Sequence, residues 1–61
     1  MNYLKEVAKV RDLPVEQQPA GYAAIAQRLR EEWEAARDSN TRYRLSALRQ
    51  DVMQRLRKVA R

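Results

Sequence analysis

The sequence predicts an all-α fold: an antiparallel helical hairpin with a short N-terminal third helix, forming a small three-helix bundle. Three observations lead there. No stretch alternates apolar and polar residues for long, and no Asn-Gly or Asp-Gly turn is present, so strand signals are missing. Apolar residues instead recur at spacings of three and four in three separate segments. Finally, 61 residues with one Gly and two Pro leave room for one small helical domain, 1–61, and little else.

The first helix is expected over about 3–12, with Asn2 as its N-cap. Tyr3, Leu4, Val7 and Val10 share one side of it at helical spacing. Pro14 disfavours helical backbone at Leu13, so the helix should stop near Asp12. The linker LPVEQQP follows, and residues 14–17 have room for a turn of their own. A second helix starting at Pro14 would carry Pro19 in its interior, at a cost of roughly 3 kcal/mol. It is therefore expected over 19–38, with Pro19 in its first turn.

Tyr22, Ile25, Ala26, Leu29, Trp33 and Ala36 make the apolar stripe of this second helix, with Trp33 assigned to the core. Asp38, Ser39 and Asn40 break the pattern, because their side chains compete for backbone hydrogen bonds. The third helix is expected over 41–60, capped by Asn40 or Thr41, with Leu45, Leu48, Val52, Leu56 and Val59 as its stripe. A short turn between two long helices predicts that they run antiparallel.

A chain of this size buries only about 60% of its unfolded surface, so its core is thin. It has no Cys for a disulfide and no His or Cys for a structural metal. Self-association as a homodimer, or an obligate complex with another protein, is the remaining source of stability. The lack of Cys suits a reducing cytoplasm, and no apolar run approaches the roughly 20 residues of a membrane span.

Lys and Arg number 13 against eight acidic residues, for a net charge of +5, and ten of the 13 are Arg. The charge is concentrated at the end. Residues 42–61 hold seven basic residues against a single Asp51. At 100° per residue these do not form one outward stripe. Arg42, Arg49 and Arg57 fall on one flank of the apolar stripe, and Arg44, Arg55 and Lys58 on the other. Tyr43, Ala47, Gln50, Gln54 and Arg61 occupy the face opposite the core. Glu31, Glu32 and Glu34 of the second helix are near enough to answer some of the basic heads.

Catalysis has little to draw on. There is no His, no Cys and no Gly-rich phosphate loop, and Ser39 and Ser46 have no base beside them. No catalytic residue, metal ligand, cofactor or small-molecule substrate is expected. RDSNTR is a weak helix-turn-helix signal, since long flanking helices suit a hairpin better. A membrane-surface helix is disfavoured, because the apolar face of the third helix is used within the hairpin.

Two expectations remain. The first is a small regulatory or adaptor module acting by helix-mediated protein contact through Tyr43, Met53, Arg49 and Arg57. The alternative is nucleic-acid binding, with Arg42, Arg44, Arg49, Arg55, Arg57 and Lys58 neutralising phosphates.

Overall fold

Pro14 and Pro19 divide the chain as their backbone restrictions require. A computed structural model describes residues 2–60. Among them α1 spans Tyr3–Arg11, a 3-10 turn spans Val15–Gln17, α2 spans Gln18–Ala35 and α3 spans Ser39–Val59. No strand occurs among the described residues, and the chain is the all-α three-helix bundle that the periodicity predicts. Arg61, placed by helical angle on the outward face, lies outside the described residues.

Local chemistry sets each boundary. Asn2 caps α1 as expected, its Oδ1 accepting the Lys5 amide at 3.2 Å. Beyond Arg11 the chain turns, and the Gln17 amide donates to the Pro14 carbonyl at 2.9 Å, closing the 3-10 turn. Gln18 then reaches back. Its Nε2 donates to the carbonyls of Leu13 at 3.0 Å and Arg11 at 3.3 Å, satisfying acceptors that the end of α1 leaves open. Pro19 sits in the first turn of α2, where its missing N–H costs nothing.

The connection between the long helices differs from expectation. α2 ends at Ala35 rather than 38, and α3 begins at Ser39 rather than 41. The N-cap is Asp38, not Asn40 or Thr41. One Asp38 oxygen accepts both the Thr41 amide at 2.8 Å and the Thr41 hydroxyl at 2.9 Å. A carboxylate also suits the positive end of a helix better than a neutral amide or hydroxyl does. Donation from the Thr41 amide, then from its hydroxyl, holds the Asp38 carboxyl below the usual carboxylate range. To cap in this way Asp38 must be extended, so α2 has to stop earlier.

The core is built around α2. Tyr22, Ile25, Ala26 and Leu29 are buried, with Tyr3, Val7 and Val10 of α1 on one side and Val52 of α3 on the other. Leu4 is 75% exposed rather than part of that face. It lies about 60–120° around the helix from Tyr3, Val7 and Val10, beyond the strip that α2 covers. Trp33, expected in the core, is 38% exposed at its edge. Of the α3 stripe only Val52 is fully buried, while Leu45, Leu48, Leu56 and Val59 are half-buried. α1 packs on one flank of the seam only, and at nine residues it spans less than half the length of the 21-residue α3.

Two contacts seat α1. The first is steric: a Cβ built on Gly21 would lie 2.9 Å from both methyls of Val10. The absence of a side chain at Gly21 is what lets the two helices approach. The second is polar: the Tyr3 hydroxyl donates to Asp51 Oδ2 at 2.5 Å, and Arg55 Nε donates to the same oxygen at 3.0 Å. The single acid of the C-terminal run is thus the anchor that ties α1 to α3. Glu6 and Arg28 add a loose pair at 3.9 Å.

Burial, then the bond to Asp51, pushes the Tyr3 phenol from 10.0 up to about 12. Donation from Tyr3 and then Arg55 holds the Asp51 carboxyl low.

Gly21→Ala should lower stability by about 1 kcal/mol net in urea unfolding. Overpacking costs about 1–3 kcal/mol, against roughly 1 kcal/mol gained in helix propensity. Val10 is stiff at χ1 and cannot swing aside, so Gly21→Ala should cost less in a Val10→Ala background than in the wild type.

Tyr3→Phe should cost about 1 kcal/mol, because the half-exposed Asp51 regains water and keeps Arg55. The folded-state value of Tyr3 lies above its unfolded one. Its contribution is therefore complete below about pH 10 and lost as pH rises toward 12. The wild-type protein should lose stability across that window by more than Tyr3→Phe does, measured by urea midpoints at a series of pH values.

Candidate docking groove

The seat of α1 decides the surroundings of the two basic rows on α3. Asp51, Arg55 and Lys58 fall on the flank that α1 approaches. There they line a small cleft with Tyr22 and Val59, and two of them, Asp51 and Arg55, belong to the Tyr3–Asp51–Arg55 chain of bonds. The opposite flank has no third helix over it. Between α2 and α3 on that side runs an open groove of about 870 Å³.

Its residues come from matching flanks of the two helices. Leu29 and Trp33 of α2 and Leu45 and Met53 of α3 supply its apolar surface. Leu29 is 1% exposed and forms the floor, while Leu45 and Met53 are half-buried. Polar walls rise on either side. On α2, Arg30 Nε donates to Glu34 Oε1 at 3.2 Å, a pair exposed enough to contribute roughly 0–1 kcal/mol. On α3, Arg49 and Arg57 flank Met53 at steps of four residues. This spacing makes one continuous ridge along the helix.

Arg49 and Arg57 make no ion pair or hydrogen bond among the described residues. The expected answer from α2 does not reach them through Glu31 or Glu34. Glu31 accepts from Gln27 Nε2 at 3.3 Å, and Glu34 is taken by Arg30. Pairing along one helix wins because partners four residues apart are already neighbours.

Arg42, on the same flank by angle, has a different task. Its Nε donates to the Ala36 carbonyl at 2.9 Å, and its guanidinium lies 4.4 Å from the centre of the Trp33 ring. It therefore occupies an acceptor near the end of α2 while stacking on the last aromatic of that helix. Trp33 serves as the platform for this clamp and as one wall of the groove.

Of the residues expected to meet a protein partner, Met53, Arg49 and Arg57 come together in the groove. Tyr43 is 77% exposed and does not line it. By helical angle Tyr43 continues the outer row of Ser46 and Gln50 toward the turn. Of the six phosphate-binding candidates, Arg42 and Arg55 are held by intramolecular bonds, Arg49 and Arg57 stand at the groove, and Arg44 and Lys58 are exposed on the α1 flank. Sequence reasoning missed Asp51 as an anchor, though a lone acid in a basic run was a visible signal.

Among the described residues no three acidic side chains gather closely enough to hold a metal ion, and no helix is long and apolar enough to cross a membrane. Comparison of the chain with protein-family models, with curated proteins and with solved structures found no match in any of the three.

Arg42→Ala should lower stability by about 1–2 kcal/mol, combining the lost cation–π contact and hydrogen bond. Arg49→Ala and Arg57→Ala should each stay within about 0.5 kcal/mol of wild type. Thermal unfolding of the three variants separates the clamp from the free row.

Proposed function

We propose that this chain is a small non-catalytic adaptor or regulatory module that receives an amphipathic helix of a partner protein in the groove between α2 and α3. The observation that carries the reading is the uncovered flank of the hairpin. Four apolar side chains stand there between polar walls, beside an α3 stripe that the chain's own helices only half bury. A helix laid along it would complete a four-helix arrangement, the usual way such a stripe is closed. A helix long enough to run toward the turn would also meet Tyr43, an exposed aromatic of the kind that anchors interfaces.

Nucleic-acid binding is less well supported by the same geometry. Phosphate-tracking proteins present their cations on a continuous surface, whereas these six lie on two flanks and two of them are engaged within the fold. A second copy of the chain is a rival occupant of the groove.

The test is an NMR titration of the labelled protein with a stapled amphipathic helix carrying a leucine stripe and uncharged Gln flanks. Amide shifts should concentrate at Leu29, Trp33, Leu45 and Met53. Met53→Asp should weaken binding by at least about tenfold, as for a central interface residue. Shifts that avoid the groove would overturn the reading. So would tight binding of random duplex DNA that drops by about 10³ between roughly 50 and 200 mM salt, which would move the function to the basic rows.

A further inference from the structure

The groove is not electrically neutral, and its imbalance says something about its occupant. Its α2 wall is self-satisfied, since Arg30 and Glu34 bond to one another. Its α3 wall is not. Arg49 and Arg57 are exposed, belong to a chain of net charge +5, and have no acidic partner among the described residues. Met53, a flexible side chain able to fill irregular gaps, lies midway between them in sequence. Eight residues separate the two arginines, a rise of about 12 Å along the helix.

A helix packed beside this ridge presents its own flank at the same pitch. Positions seven residues apart return to nearly the same angle after a rise of about 10.5 Å, within reach of two long Arg side chains. The position midway between them faces Met53.

Resting on the reading of the groove as a helix receptor, we infer that its partner is an acidic amphipathic helix. Two carboxylates about seven residues apart on one flank would bracket a large apolar side chain. Arg49 and Arg57 each close an ion pair with one carboxylate, and Met53 packs the apolar residue between them. The guanidinium fork suits this, because it can meet a carboxylate through two parallel hydrogen bonds.

The same charge count bears on a second copy of the chain. Bringing two such grooves face to face would set the three arginines lining one groove, Arg30, Arg49 and Arg57, against three more, with Glu34 the one acid lining each. Like charges juxtaposed at an interface oppose association, so self-pairing through this face is disfavoured and an acidic partner is selected.

Three stapled helices with one shared leucine stripe test the inference, differing only in whether the two flank positions hold Glu, Gln or Lys. Stapling holds their helicity equal, so affinity reports the flank alone. The Glu helix should bind about tenfold tighter than the Gln helix at roughly 50 mM salt, and the Lys helix weaker than both. The advantage should shrink toward 500 mM salt, where charges are screened within a few ångströms. In the double variant Arg49→Glu/Arg57→Glu the order should invert, with the Lys helix now the tightest. Neither arginine supports the fold through a bond, and circular dichroism checks that the variant keeps its helices.

Equal affinity of the Glu and Gln helices, both shifting groove amides, would overturn the charge rule and leave the groove reading standing. Failure of all three helices to reach the groove would remove both. Concentration-dependent dimerisation with groove shifts in the protein alone would identify a second copy as the occupant and overturn the inference.

Discussion

Nine residues of helix have to serve a seam formed by helices of 18 and 21 residues, and α1 can do so only where Gly21 lets Val10 come close. That approach fixes which flank is covered. Tyr3 then reaches Asp51 across the bundle, and through it Arg55, so one face of α3 is tied down by both packing and hydrogen bonds. The other face is left with its apolar residues half-covered and its arginines unanswered. The groove is thus a consequence of the size and seating of α1, more than of anything peculiar to α2 or α3.

The distribution of arginines follows from the same asymmetry. Ten arginines in so short a chain suggest one common purpose, yet their environments divide them by task. Arg55 supports the α1 anchor, Arg42 clamps the end of α2 over Trp33, and Arg30 pairs along its own helix. With these set aside, Arg49 and Arg57 are distinguished from the other unengaged arginines by lining the groove. A surface read from net charge alone would treat all of them as equivalent, although an arginine already held by a carbonyl and an aromatic ring must break those contacts before it can serve a ligand.

Much of this architecture was legible in the sequence, because backbone restrictions and periodicity are local. Pro14 and Pro19 marked the linker, Asn2 marked the first cap, and spacings of three and four placed the three helices. What local reasoning could not supply was competition between neighbours. Asp38, Asn40 and Thr41 can all cap a helix, and Asp38 prevails by taking two donors from Thr41 at once. Leu4 and Trp33 are apolar at helical spacing, but their exposure depends on how far a neighbouring helix extends. Of the candidate site, Met53, Arg49 and Arg57 were identifiable from their angles on the helix. The groove that unites them was not, because it exists only where α1 is absent.

That absence also governs how binding and folding interact. A partner seated in the groove lies on the flank away from α1, so it need not displace the Gly21–Val10 contact or the Tyr3–Asp51 bond. The two flanks meet through both long helices: through α2, which seats α1 at Gly21 and floors the groove at Leu29, and through α3, where Val52 of the core and Met53 of the groove are consecutive residues and Asp51 lies one position before them. A ligand shifts a conformational equilibrium only by its difference in affinity between the states. A groove ligand therefore favours the docked form of α1 to the extent that it depends on the position α3 holds when Asp51 is anchored. It does not act on α1 directly. Tightening of one flank by the other is thus limited to what the two shared helices can transmit by shifting as rigid bodies. Asp51 on α3, two residues before Met53, and Gly21 on α2, two turns before Leu29, are the two places where that coupling can pass.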